Sequence, residues 1–104
     1  MSAGEFLAKA EPLLKKSKAS LIFSGDARRL MRLLGETAQK NRVQLEAARA
    51  AGRPTTTCLP PKGKAKINAA ELIAHLRALA PAQRAQGFDL AFAGYTAKKY
   101  PCRR

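Results

Sequence analysis

The sequence has no tryptophan, four phenylalanines, two tyrosines, one histidine and two cysteines among its 104 residues. Acidic residues are also scarce, at 7 Asp+Glu against 20 Lys+Arg. Each shortage excludes something. With so few aromatic residues and much of its 46% apolar content as alanine, the chain favours closely packed helices over strands. A membrane span needs roughly 20 uninterrupted apolar residues, whereas the runs here, such as Leu21 to Phe23, are very short. One histidine and two distant cysteines are too few ligands for a zinc site. No cofactor motif is present. Lys62-Gly63-Lys64-Ala65-Lys66 lacks the glycine spacing and the Lys-Ser/Thr ending of a phosphate loop.

Catalysis lacks its parts as well. Nucleophilic chemistry requires a Ser or Cys with a base in reach and an orienting group, and His75 is the only good base, with no nucleophile motif beside it. It reads as a partly exposed residue on a helix flank. Glu36 and Glu46 could form a carboxylate pair, but Arg32, Lys40, Arg42 and Arg49 lie three or four residues from them. Such spacing predicts ordinary surface ion pairs. The chain is expected not to be an enzyme.

What is present is charge and helical periodicity. A net charge of +13 favours acidic partners: nucleic acid, anionic envelope lipid or lipopolysaccharide, or an acidic protein surface. The length suits one domain. Phe6, Leu7, Ala10, Leu13 and Leu14 predict a helix over about 4–18, with Pro12 expected to kink or split it. A short apolar connector, Ser20 to Phe23, follows. Ser24 or Asp26 caps a long helix over 26–51, whose apolar stripe is Ala27, Leu30, Met31, Leu34, Ala38, Leu45 and Ala48. At about 38 Å it forms the spine of the domain, and Gly52 stops it. Residues 52–67 read as a loop. Asn68 with Glu71 has capping-box spacing and starts a helix over 69–79. Pro81 opens a short turn, and a final helix over 88–99 carries Phe88, Ala91, Phe92 and Tyr95 on one face. Those aromatic residues look like core, not a base-stacking surface. Gly94 in mid-helix permits close helix approach or marks a frayed segment. The fold class is an all-α, compact bundle of about four helices with one long central helix.

The candidate binding residues are Arg53, Lys62, Lys64 and Lys66, which share the 52–67 loop with no acidic residue. They either contact a partner or keep the protein soluble. Arginines 28, 29, 32, 42, 49 and 53 also mark the long helix, but Glu36 and Glu46 interrupt that face, and no recognised nucleic-acid-binding signature appears. Cys58 and Cys102 are either a disulfide closing a loop of about 45 residues, which would contribute about 4 kcal/mol, or two reduced thiols. No signal peptide is visible at Met1-Ser2-Ala3-Gly4, so the protein is cytosolic or this is a mature exported segment.

The frame Cys58-Leu59-Pro60, a helix with Leu72, Ile73, Leu76 and Leu79, a Pro81-led turn, a helix with Ala91 and Phe92, and Tyr100-Pro101-Cys102 resembles the C-terminal half of the Rap/Tai immunity proteins of type VI secretion. Those small periplasmic helical proteins neutralise cell-wall-cleaving amidase effectors. The chain resembles more closely a group of small exported alphaproteobacterial proteins that begin like Phe6-Leu7-Ala8-Lys9-Ala10 and end in Tyr-Pro-Cys. The resemblance implies a Cys58–Cys102 disulfide and hence an oxidising compartment, periplasmic or extracellular. The family's second cysteine pair is absent here, and no inhibitory residue carries over. The leading expectation is a non-enzymatic periplasmic or secreted protein that binds an acidic protein partner. The rival is a basic helical module for a polyanion, and a stress chaperone is a third class.

Overall fold

A computed structural model describes residues 1–17, 19–20 and 23–102. Among the described residues five helices follow one another: α1 (Ala3–Leu14), α2 (Gly25–Ala50), α3 (Ala69–Arg77), α4 (Pro81–Arg84) and α5 (Phe88–Lys99). Among the described residues there is no strand, only two isolated bridges. The all-α class, the long helix and the Cys58–Cys102 disulfide are all present.

Local chemistry sets most helix ends. The Ser2 hydroxyl accepts from the Glu5 amide at 3.1 Å, and the Ser24 hydroxyl accepts from the Ala27 amide at 3.2 Å. Each satisfies an amide that a first turn leaves without a partner. Asn68 Oδ1 caps α3 through the Glu71 amide at 3.1 Å, but only this half of the expected capping box forms. The Asn68 amide donates instead to the Tyr95 hydroxyl at 3.3 Å, and the Glu71 carboxylate binds Lys99 at 2.7 Å. At the end of α2, Gly52 has φ 73°. Its amide reaches the Arg49 carbonyl at 3.0 Å, while that of Arg53 reaches Ala48 at 2.9 Å. These two bonds are the Schellman pair that a left-handed glycine allows.

Two sequence expectations are corrected. The first helix ends at Leu14, and Pro12 does not split it but sits in its last turn. Its missing amide deprives only the Ala8 carbonyl of a ladder partner, so the helix runs on to Leu14 and the chain then leaves through tighter bonds from Lys15 to Pro12 and from Lys16 to Leu13. Lys18, the expected end, and Leu21-Ile22 of the apolar connector lie outside the described residues. Met31, placed on the buried stripe of α2, is 67% exposed. The side of α2 that is buried carries Leu30, Thr37 and Asn41, with Leu33, Leu34 and Ala38 packed against the core. Two of its three buried side chains are therefore polar.

The core lies where α1, α3 and α5 meet, with α2 along one side. Leu72, Leu76 and Phe92 are its largest fully enclosed side chains. Phe6 of α1 stacks on Phe88 of α5 with ring centroids 4.0 Å apart. Backbone pairing fixes this contact from outside: the Ala3 amide donates to Gln86 and the Phe88 amide to Met1, both at 2.9 Å, on either side of a Ser2–Gly87 bridge. Gly94 stands 3.6 Å from His75 where its Cβ would be, so α3 and α5 approach closely there and a methyl group would only just touch.

Buried between α2 and α5, the Thr96 hydroxyl lies 3.1 Å from Asn41 Oδ1 and 3.0 Å from the Ala93 carbonyl. Thr96→Val keeps the shape but strips the Asn41 side chain of this partner. An unpaired buried amide costs about 1–3 kcal/mol. The expected result is a loss of that size in urea unfolding, largely recovered when Asn41→Leu is added. A single variant as stable as the parent would show that water satisfies Asn41.

Candidate functional site

The 52–67 loop leaves α2 and runs back along it, held by groups from three directions. From below, Arg42 donates to the Pro60 carbonyl at 3.0 Å and Arg49 to the Thr57 carbonyl at 3.5 Å. From the side, the Cys58 amide donates to Tyr100 at 2.8 Å and the Cys102 amide to Thr56 at 3.1 Å, flanking a Thr57–Pro101 bridge. The disulfide joins Cys58 to Cys102 beside that bridge, with their Cα atoms 4.8 Å apart. At the far end, the Lys66 amide donates to the Tyr100 hydroxyl at 3.1 Å, which in turn donates to the Lys66 carbonyl at 3.2 Å.

Between these fixed points the chain turns at Pro61–Lys64, closed by a 2.9 Å bond from the Lys64 amide to the Pro61 carbonyl. Gly63 has φ 91°, the conformation that the third residue of a type II turn requires and that glycine adopts without strain. Lys62 and Lys64 on this turn and Lys66 just after it are all exposed. Among the described residues, no carboxylate lies within 4.0 Å of any of them or of Arg53. The loop thus carries these cations on a backbone tied down by hydrogen bonds and the disulfide.

The four candidates do not all border one cleft. Lys62 and Lys66 border a cleft of about 200 Å³ together with Arg42, Gln39, Leu59 and Tyr100, whereas Lys64 and Arg53 lie outside its lining. The predicted ion pairs of Glu36 and Glu46 do not form among the described residues. Arg42 and Arg49 serve loop carbonyls instead, and Lys40 faces Asp89 at 4.0 Å. Both arginines are drawn to fixed carbonyls of the loop that runs back along the helix, in place of mobile surface carboxylates worth little in water. Sequence reasoning missed Arg42, Arg49 and Tyr100 as the clamps of this loop. The one available signal was the seven-residue spacing of the arginines, which places both on one helix face.

A second polar group lies across α3 and α5. Lys99 Nζ binds Glu71 at 2.7 Å and sits 5.8 Å from the ring centres of both Tyr95 and Tyr100. The bond to Glu71 raises the Lys99 ammonium above its ordinary range. This cation is engaged, unlike those of the loop. His75 is half-buried with its ring edge-on to Tyr95. Desolvation, helped by the charge of Lys98, holds its imidazole below the usual value against the opposing effect of the Ala91 backbone. Among the described residues, no three His, Cys, Asp or Glu side chains are grouped to hold a metal ion, and no helix is long and apolar enough to cross a membrane.

No family model, no curated protein and no solved structure matches this chain.

Proposed function

We propose that this is a non-enzymatic, disulfide-stapled binding protein of the periplasm or the extracellular space, recognising an acidic protein surface as the immunity proteins it resembles recognise their effectors. The observation that carries this reading is the held loop. Lys62, Lys64 and Lys66 project from backbone already fixed by the disulfide, by Tyr100 and by Arg42. A partner therefore meets cations on a backbone that is already tied down, which lowers the loop-ordering part of the cost of association. The disulfide supports an oxidising compartment.

A polyanion is the second reading, favoured by the net charge of +13. Mixed surroundings count against it. The lysine cleft is lined by Leu59, Ile67 and aromatic side chains as well as by cations, a combination better matched to a protein surface than to a phosphate backbone.

Salt separates the two. Binding to heparin or single-stranded DNA is expected to weaken steeply with the logarithm of salt concentration and to be weak by about 0.15 M. A complex with an acidic protein partner is expected to persist there. Replacing all three lysines by Gln should weaken that complex about tenfold, three rim charges each worth a few tenths of a kcal/mol or more. Tight heparin binding at about 0.15 M salt, abolished by the triple substitution, would overturn the protein-partner reading in favour of the polyanion.

A further inference from the structure

The largest cavity described lies away from the lysine loop. It is a trough of about 590 Å³ between α1, the first half of α2 and α3. Phe6, Ala10, Leu30, Leu72 and Ile73 form its buried floor, and Leu13, Leu14 and Met31 its walls. Leu14 is 49% and Met31 67% exposed. Every lining residue is apolar except Arg28 and Arg32. A soluble domain gains by covering apolar surface, so a groove this size with its walls in water marks a contact surface.

We infer that this trough is the docking site of an acidic amphipathic helix carried by the partner protein. The inference rests on the protein-partner reading and names the segment that the partner contributes. Three features select this occupant. The trough is open along one side, which suits a helix that keeps a polar face in water and does not suit an acyl chain, which has no polar side to leave exposed. From Phe6 to Leu14 it is about 12 Å long at 1.5 Å per residue, the length of two turns and of apolar anchors at i, i+3 or i+4, and i+7. Finally, Arg28 and Arg32 stand one turn apart on its edge, about 6 Å from each other at Cβ. Among the described residues neither has a carboxylate within 4.0 Å, whereas neighbouring Arg29 has Asp26 at 3.9 Å. Two free guanidinium groups at that spacing match two carboxylates one turn apart on a helix, while a single-headed amphiphile supplies one. A second copy of this chain is disfavoured because each copy brings a net charge of +13. Met31 in the wall is the flexible, polarisable residue that adapts to an incoming apolar face.

The test uses the intact disulfide-bonded protein and a stapled helical peptide of about 16 residues, long enough to hold a helix. One face of the peptide is leucine, flanked by two glutamates one turn apart. At about 0.15 M salt, amide shift changes are expected at Leu13, Met31 and Ile73. Met31→Glu, a change at an exposed position that leaves the fold intact, should abolish binding. The double variant Arg28→Glu/Arg32→Glu should weaken it at least tenfold and gain affinity for the peptide with lysines in place of its glutamates. The Lys62/Lys64/Lys66→Gln triple variant should bind the peptide as the parent does. Equal binding of a scrambled peptide, or shifts confined to the lysine loop, would overturn the inference. So would contacts in the free protein placing Leu21 and Ile22 methyl groups against Met31 and Ile73, or self-association that Met31→Glu removes. Failure here with the lysine-loop result intact removes the trough alone; failure of both removes the protein partner.

Discussion

Changing Cys58 and Cys102 together to Ser is expected to lower the unfolding free energy by about 4 kcal/mol. The two residues are 44 positions apart, and closing a loop of that length restricts the unfolded chain by about this amount in the chain-entropy account. For a domain expected to have roughly 5–10 kcal/mol in all, the variant should melt on the order of 20 °C lower. The folded state should change locally too. Without the bond, the tail is held to the loop by two backbone hydrogen bonds around one bridge and by the Tyr100 hydroxyl at Lys66, and so short a pairing is marginal alone. Amides of residues 56–58 and 100–102 should then exchange with solvent far faster than those of α5. Thermal melts with and without reductant check the first part and hydrogen exchange the second. A parent protein whose melt ignores reductant would show that the disulfide adds nothing to the fold.

Phe92→Ala is the core substitution with the largest expected cost, about 3–5 kcal/mol. Phe92 is 1% exposed, its ring centre 6.2 Å from Phe88 and 6.0 Å from Tyr95. It stands where α5 meets the rest of the core, so the space left by its ring cannot be filled without moving a helix. Phe23→Ala makes the matching control. The same residue type is 83% exposed there, and surface changes of this kind stay within about ±0.5 kcal/mol. Urea unfolding of both variants checks the pair. Equal effects would mean that the Phe88–Phe92–Tyr95 face is not the core.

The contrast between these phenylalanines shows what the sequence reveals. The α5 face repeats at helical spacing and is bounded by Gly87 and Pro101, so its burial is readable. Ser24, Asn68, Gly52 and Pro81 act through their own backbone and next few neighbours, and each helix end they mark is within a few residues of its observed place. What the sequence hides is non-local. Met31 has the right period to be buried, but periodicity cannot say whether another element covers that stretch of the helix. Thr37 and Asn41 look like surface residues until a second helix brings Thr96 to Asn41. The pairing of Ala3 with Gln86 and of Phe88 with Met1 joins segments more than 80 residues apart, with no local signature at all. The candidate site divides in the same way. Its cations stand out because no acid accompanies them. Its clamps do not, because which carbonyl Arg42 or Tyr100 will meet is decided by how the loop returns. The trough is invisible for the same reason as Met31's exposure: it is a gap between helices, not a pattern along one.

The staple also changes what happens when the backbone is cut. Lys62, Lys64 and Lys66 are exposed, which makes them the natural targets of a trypsin-like protease, and all three lie between the two bonded cysteines. Cleavage after any of them opens a covalent ring without dividing the molecule. Both fragments remain joined through sulfur and migrate as one species until a reductant is added. Wherever a protease meets this loop, a nick there releases nothing.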